Sequence, residues 1–111
     1  MNIAFRETPA FSNVCEEYFG GDEGYRAFQN ALMEQPEKGN LIQGTGGLRK
    51  IRWIDPRRGK GKRGGLRIIY FYDNAAAMIY LMAVYNKNIP DLTPAQRRLL
   101  AASVNEIKAT R

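Results

Sequence analysis

Lys50, Arg52, Arg67 and Lys87 are the side chains of this 111-residue sequence whose types and spacing best suit chemistry. Lys50 and Arg52 stand two apart in Leu48–Ile54, a stretch that alternates as a β-strand does, so both leave the same face. Arg67 is the second residue of another β-favouring run, Leu66–Tyr72, that directly follows Gly64-Gly65. A hairpin joining the two runs gathers the three cations on one sheet surface. Burying like charges together is costly, so that surface must stay open to water or to an anion. Lys87 follows a third, almost wholly apolar run, Ala77–Tyr85, where a strand end can project a group into a groove. Tyr85 itself offers either a ring for stacking on a base or a packed ring with its hydroxyl outward. The chain has no His, so acid–base work would fall to side chains such as these.

The formal charge of +6 is local. Nine of the 17 Lys and Arg residues lie between Arg49 and Arg67, with Asp55 as the one acid among them. Outside that stretch, eight basic residues meet ten acidic ones. A concentrated cationic field attracts a polyanion, most commonly nucleic acid. Arg49 and the loop cations Arg57, Arg58, Lys60, Lys62 and Arg63 are therefore candidate phosphate contacts; the plainer reading of the loop is a solvated hairpin turn. It is not a nucleotide-binding P-loop, because no Ser or Thr follows either Gly-Lys and no helix follows the loop.

At 111 residues, 44% of them hydrophobic, the chain can bury a core, and a single domain spanning 1–111 is expected. No apolar run approaches the ~20 residues needed to cross a membrane. The N-terminus lacks the charge and apolar pattern of a secretory signal. Lone Cys15 has no internal disulfide partner and sits in a helical apolar pattern, which suits a small core residue in a reducing cytoplasm. Without His, and with scattered acids, neither a metal nor another cofactor is expected.

The elements that must position the cations can be predicted from pattern. Ile3–Arg6 alternates weakly, as a short strand. Thr8-Pro9 starts a helix carrying Phe11, Val14, Cys15 and Tyr18, which Gly20-Gly21 ends. Asp22 caps a second helix bearing Tyr25, Phe28 and Leu32. A turn-rich linker runs from Pro36 to Gly47. The three β-runs follow, consecutive and antiparallel, with Asp73-Asn74 as a turn. Thr93-Pro94-Ala95-Gln96 is a capping box that opens a C-terminal helix with Leu99, Leu100, Val104 and Ile107. The predicted order is one strand, two helices, three strands and a helix.

Three segments in order, Gly44–Trp53, Gly61–Tyr70 beginning Gly-Lys-Arg-Gly-Gly-Leu-Arg, and Val84–Thr93, resemble the RelE/HigB-type toxins of bacterial type II toxin–antitoxin systems, most of all the HigB-like branch. The resemblance runs from Thr8 to the last helix. It implies an α+β, microbial-ribonuclease-like fold: a small antiparallel sheet with two N-terminal helices and a C-terminal helix. It implies a toxin that cuts messenger RNA on the ribosome and arrests translation, restrained by a cognate antitoxin, usually of helix-turn-helix type. By matching position, Lys50 and Arg52 are the paired cations of one strand, Arg67 grips the scissile phosphate, and Lys87 replaces an arginine of the archetype. That replacement forfeits the bidentate fork of Arg. Thr93 falls where the archetype has a tyrosine, so stacking is absent or moved to Tyr85. RNA's own 2′-hydroxyl can attack phosphorus, so no protein nucleophile is needed. Arg67 would stabilise the phosphorane, Lys50 or Arg52 would assist the 2′-oxygen, and Lys87 would place charge near the leaving group. Lys could serve as a base if crowded by other cations.

Two other readings share these features: a ParE-type toxin that poisons DNA gyrase, and a nucleic-acid-binding module without catalysis. Fold does not separate them. Without a heptad seam, the chain alone is expected to be monomeric. If the loop is a phosphate contact, reversing Lys60, Lys62 and Arg63 to Glu weakens association with ribosomes or RNA and flattens its salt dependence. Unchanged affinity and salt slope, measured by filter binding, would make the loop a solvated linker.

Overall fold

Thr8 and Gly20 bound the first helix as their chemistry predicts. In the computed structural model, which describes residues 2–54, 65–86 and 91–110, helix α1 (Pro9–Phe19) begins with Pro in its first turn. The Thr8 hydroxyl accepts from the Phe11 amide at 3.2 Å. Gly20 closes α1 in the left-handed conformation that glycine adopts without penalty. Strand β1 (Ala4–Glu7) precedes it, and α2 (Asp22–Glu34) follows. Asp22 is the first helical residue of α2 rather than its cap; Gly21 holds the cap position and no side chain caps the helix.

The linker expected from Pro36 to Gly47 contains a two-residue edge strand, β2 (Asn40–Leu41). It is pinned from the sheet. Buried Tyr70 donates its hydroxyl to the Pro36 carbonyl at 2.8 Å and accepts from the Gly39 amide at 2.9 Å. Buried Thr45 donates to the Ile42 carbonyl and accepts from the Leu48 amide, closing the turn into β3 (Leu48–Trp53). Gly47 stands there at φ 128°, and a Cβ would meet the Phe71 ring at 3.1 Å, so both backbone and space ask for glycine.

Strands β4 (Leu66–Asp73) and β5 (Met78–Asn86) complete a five-stranded sheet of order β1-β5-β4-β3-β2. The three long strands pair consecutively and antiparallel, as expected. One pair departs from the antiparallel expectation: β1 runs parallel to β5. The turn from β4 to β5 lies at 74–77, while Asp73 ends β4 in a buried position.

Both faces of the sheet are covered. On one, Phe11, Cys15 and Phe19 of α1 and Phe28 and Leu32 of α2 pack against Ile51, Ile68, Tyr70, Ile79 and Leu81. On the other, helix α3 (Pro94–Thr110) sets Val104, Leu100 and Ile107 over Leu48, Ile69, Phe71 and Met82. The capping box forms as the sequence predicts. The Thr93 amide donates to Gln96 Oε1 at 2.9 Å, and the Gln96 amide to Thr93 Oγ1 at 3.1 Å. Burial raises the Cys15 thiol to about 11, as suits a core residue.

The apolar run of β5 hides a change of parity. Ile79 and Leu81 face α1 and α2, and so does Val84, three residues on. Met82 and Ala83 both face α3, as does Tyr85. The pairing shows the cause: Ile69 opposes Ala83 but Tyr70 opposes Leu81, leaving Met82 as an extra residue, a β-bulge. A shift by one residue moves every later side chain to the other face. Thr8 secures the bulge, donating its hydroxyl to the Met82 carbonyl at 2.9 Å while its amide donates to the Leu81 carbonyl at 3.1 Å. One hydroxyl thus caps α1 and ties it to β5. Thr8→Val, which keeps the shape and removes both contacts, should cost about 1–3 kcal/mol in urea denaturation. A loss below ~0.5 kcal/mol, the scale of ordinary surface changes, would show that the bulge does not depend on Thr8.

Candidate functional site

The ladder between β3 and β4 places Arg52 directly opposite Arg67. On β3, Lys50 precedes Arg52 by two residues and shares its face. On the far side of β4, Arg67 pairs with Tyr85, which the bulge has turned to that same face. The sequence-predicted set Lys50, Arg52 and Arg67 is therefore brought together. These three, with Lys38, Gly39 and Asn40 from the linker, line an open groove of about 480 Å³. Gly65 permits the close approach that carries Arg67 into place: a Cβ there would lie 2.2 Å from the Trp53 carbonyl oxygen. The Arg67 guanidinium is held by a hydrogen bond from Nη1 to the Gly65 carbonyl at 3.1 Å.

Arg49 does not join them. As an odd-numbered neighbour on β3 it leaves the opposite face, and its guanidinium donates to the Glu37 and Gly39 carbonyls at 2.9 and 2.7 Å. It fastens the linker, on the face away from the other three cations. Tyr85 departs from the stacking expectation. Its ring is 8% exposed and packs with Leu48, Ile69 and Val104, leaving no open face for a base. Its other reading, ring packed and hydroxyl outward, describes what is found. The candidates Arg57, Arg58, Lys60, Lys62, Arg63 and Lys87 lie outside the described residues.

Sequence reasoning missed Asp91. Its carboxylate meets the Lys50 ammonium with both oxygens, at 3.2 and 3.1 Å, and Oδ1 accepts from the Tyr85 hydroxyl at 2.9 Å. Lys50 is thus paired with an anion, which removes the premise that cations alone crowd it. Two donors on one carboxylate hold Asp91 below the usual carboxylate range, the Tyr85 hydrogen bond contributing most and Lys50 next. Burial, and then that same hydrogen bond, push the Tyr85 phenol up to about 12, so it remains a donor across the physiological range. The only signal for Asp91 in the sequence is an isolated acid two residues before the Thr93 cap. Among the described residues, no group of three or more His, Cys, Asp or Glu side chains is placed to hold a metal.

With this geometry in view, the chain can be set beside known structures. No protein-family model matches it. Two solved structures of the toxin RelE from E. coli superpose on it along nearly their whole length. An arginine-to-alanine double mutant in the free state gives a TM-score of 0.53 at 14% identity, covering 94% of this chain and 98% of that one. The isolated toxin gives 0.52 at 14% identity, covering 96% and 99%. The chain therefore has the RelE fold: a five-stranded sheet with two N-terminal helices on one face and a C-terminal helix on the other.

The pairing of Tyr85 with Asp91 is open to direct test. Tyr85→Phe removes the donor that most depresses the Asp91 carboxyl, so its pKa should rise toward the ordinary carboxylate value in a carbon-detected NMR titration. A depressed carboxyl adds stability at neutral pH that disappears as pH falls through its folded pKa. Here that contribution is small, because the Asp91 side chain is 68% exposed. An unmoved Asp91 titration in the Phe variant would mean that the hydroxyl does not hold the carboxylate.

Proposed function

We propose that this protein is the toxin of a bacterial type II toxin–antitoxin system, of the HigB-like branch, acting in the cytoplasm as a ribosome-dependent messenger-RNA endonuclease. One observation carries the reading: on a RelE fold, Arg52 and Arg67 face each other across two strands with Lys50 beside them, all opening into one groove. A cluster of like charges with an open face suits a polyanion. Two arginines set opposite each other suit the pentavalent phosphorane of phosphoryl transfer, whose equatorial oxygens carry the developing charge.

In this mechanism the RNA supplies its own nucleophile. The 2′-oxygen attacks the adjacent phosphorus and its proton passes to water, helped by Lys50 or Arg52, whose positive charge stabilises the 2′-oxyanion as it forms; the bond from phosphorus to the 5′-oxygen then breaks and that oxygen takes a proton from water. Arg67 binds the non-bridging oxygens as charge builds. Lys87 is assigned, on sequence alone, to charge near the leaving oxygen. The products end in 2′,3′-cyclic phosphate and 5′-hydroxyl, and no metal takes part. The ribosome aligns the message for in-line attack, which side chains this weakly acidic and basic cannot achieve alone. The toxin is monomeric by itself, and a helix-turn-helix antitoxin binds it and restrains it.

Cell-free translation with primer extension tests the reading: wild-type protein should give codon-phased cuts. Arg67→Ala should lower cleavage by about 10²- to 10³-fold or more with an unchanged circular-dichroism spectrum. Intact message with blocked supercoiling would select the gyrase-poisoning alternative instead. Products ending in 3′-hydroxyl and 5′-phosphate would sink the mechanism. Co-expression with the adjacent reading frame should restore growth and yield a stable complex.

A further inference from the structure

Beside the Arg52–Arg67 groove lies a smaller depression, lined by Lys50, Ile69, Tyr85, Asp91, Leu92 and Arg97. Three of these side chains can donate hydrogen bonds to an anion: the Lys50 ammonium, the Tyr85 hydroxyl and the Arg97 guanidinium. Asp91 is the only acid among its described residues, and both of its oxygens meet Lys50 while one also accepts a hydrogen bond from the Tyr85 hydroxyl. We propose that this depression is a second phosphate subsite for single-stranded RNA, and that Asp91 occupies it until a backbone phosphate takes its place. The inference rests on the proposed RNA-binding role of the neighbouring groove.

The chemistry of the exchange follows from the donors. A carboxylate and a phosphodiester both present two anionic oxygens to the same ammonium and the same hydroxyl. Asp91 is the exposed partner, at 68%, against 35% for Lys50. A surface ion pair of this kind is weak and screened, so a polyanion held at several other points can displace it. Tyr85 is the fixed element: its ring is anchored in the core, so its hydroxyl stays in place when the carboxylate leaves and is free to bind a phosphate oxygen. This gives the tyrosine a use that its buried ring denies it in stacking. It also gives Arg97, in the first turn of α3, a place at the site.

The test uses the full chain and a short, fluorescent, 2′-O-methyl single-stranded RNA, which binds without being cut. Asp91→Asn keeps the shape and the acceptor for Tyr85 but removes the competing charge. It should tighten binding roughly fivefold at moderate salt and steepen the log–log salt slope by about 0.7, one further phosphate on a single strand. The gain should vanish in a Lys50→Ala background, and Arg97→Ala should weaken binding. If Asp91→Asn binds no tighter while Arg67→Ala still weakens binding, the groove holds RNA but Asp91 holds no phosphate subsite, and the inference falls alone. If the wild-type chain fails to bind, or binding ignores Arg67→Ala, the proposed function falls and the subsite with it.

Discussion

Arg52 and Arg67 stand opposite each other on the β3–β4 ladder, and the placement of everything around them follows from what such a pair requires. Like charges on directly opposed residues repel, with their Cβ atoms only about 5 Å apart. Water or a counter-anion must reach both. The fold supplies that opening by covering the sheet unevenly. Helix α3 lies over Leu48, Ile69, Phe71 and Met82, toward one end of the three long strands. At the other end, where β3 finishes and β4 begins, no described residue of α3 lies over the same face. Lys50 and Tyr85 mark the border, the lysine lining the groove and the tyrosine packed in the apolar layer with its hydroxyl on Asp91, the counter-anion between them.

That border depends on a device far from it in sequence. Were β5 regular, the parity set by Ile79 and Leu81 would carry Tyr85 to the face under α1 and α2, away from Arg67. The extra residue at Met82 reverses this. A bulge leaves a ladder carbonyl unpaired, which is costly inside a sheet covered on both faces. Thr8 answers that carbonyl from the first turn of α1. The start of the chain, through one hydroxyl, thereby keeps a tyrosine hydroxyl near the cations at the end of β5.

How far the fold could be read from residues follows the range of the signals. Thr8-Pro9 and Gly20 announce α1, and the Thr93–Gln96 box announces α3, because capping is local chemistry. The alternation of β3 was enough to put Lys50 and Arg52 on one face, and a hairpin to bring up Arg67. Longer-range features left no such mark. The parallel docking of β1 on β5 joins segments more than 70 residues apart. Strand β2 is two residues inside a turn-rich linker, held by Tyr70 and Arg49 rather than by its own pattern. The bulge is silent because every residue around Met82 is apolar, so a change of face changes no residue class. Asp91 was invisible for a related reason: a lone acid before a helix cap reads as solvent-facing until the fold carries it to Lys50.

The composition of the site also bears on what kind of catalyst it can be. Arg52 and Arg67 are permanently charged, which suits them to stabilise charge and unfits them to carry protons. Lys50, the remaining described cation of the set, is tied to a carboxylate. The Tyr85 phenol keeps its proton to about pH 12. The chain has no His, the side chain whose ordinary pKa lies nearest neutrality, where general acid–base catalysis is most efficient. Under the proposed function, rate must then come from electrostatic stabilisation and from the alignment of a nucleophile already present in the substrate. Alignment of reacting groups alone can supply about 7–11 kcal/mol of a barrier. An RNA held loosely in this groove would gain little of that, whereas an RNA fixed by a larger frame would gain most of it. Under the proposed function, a site rich in fixed charge and poor in proton carriers is therefore physically matched to a substrate presented by the ribosome, and ill matched to free RNA.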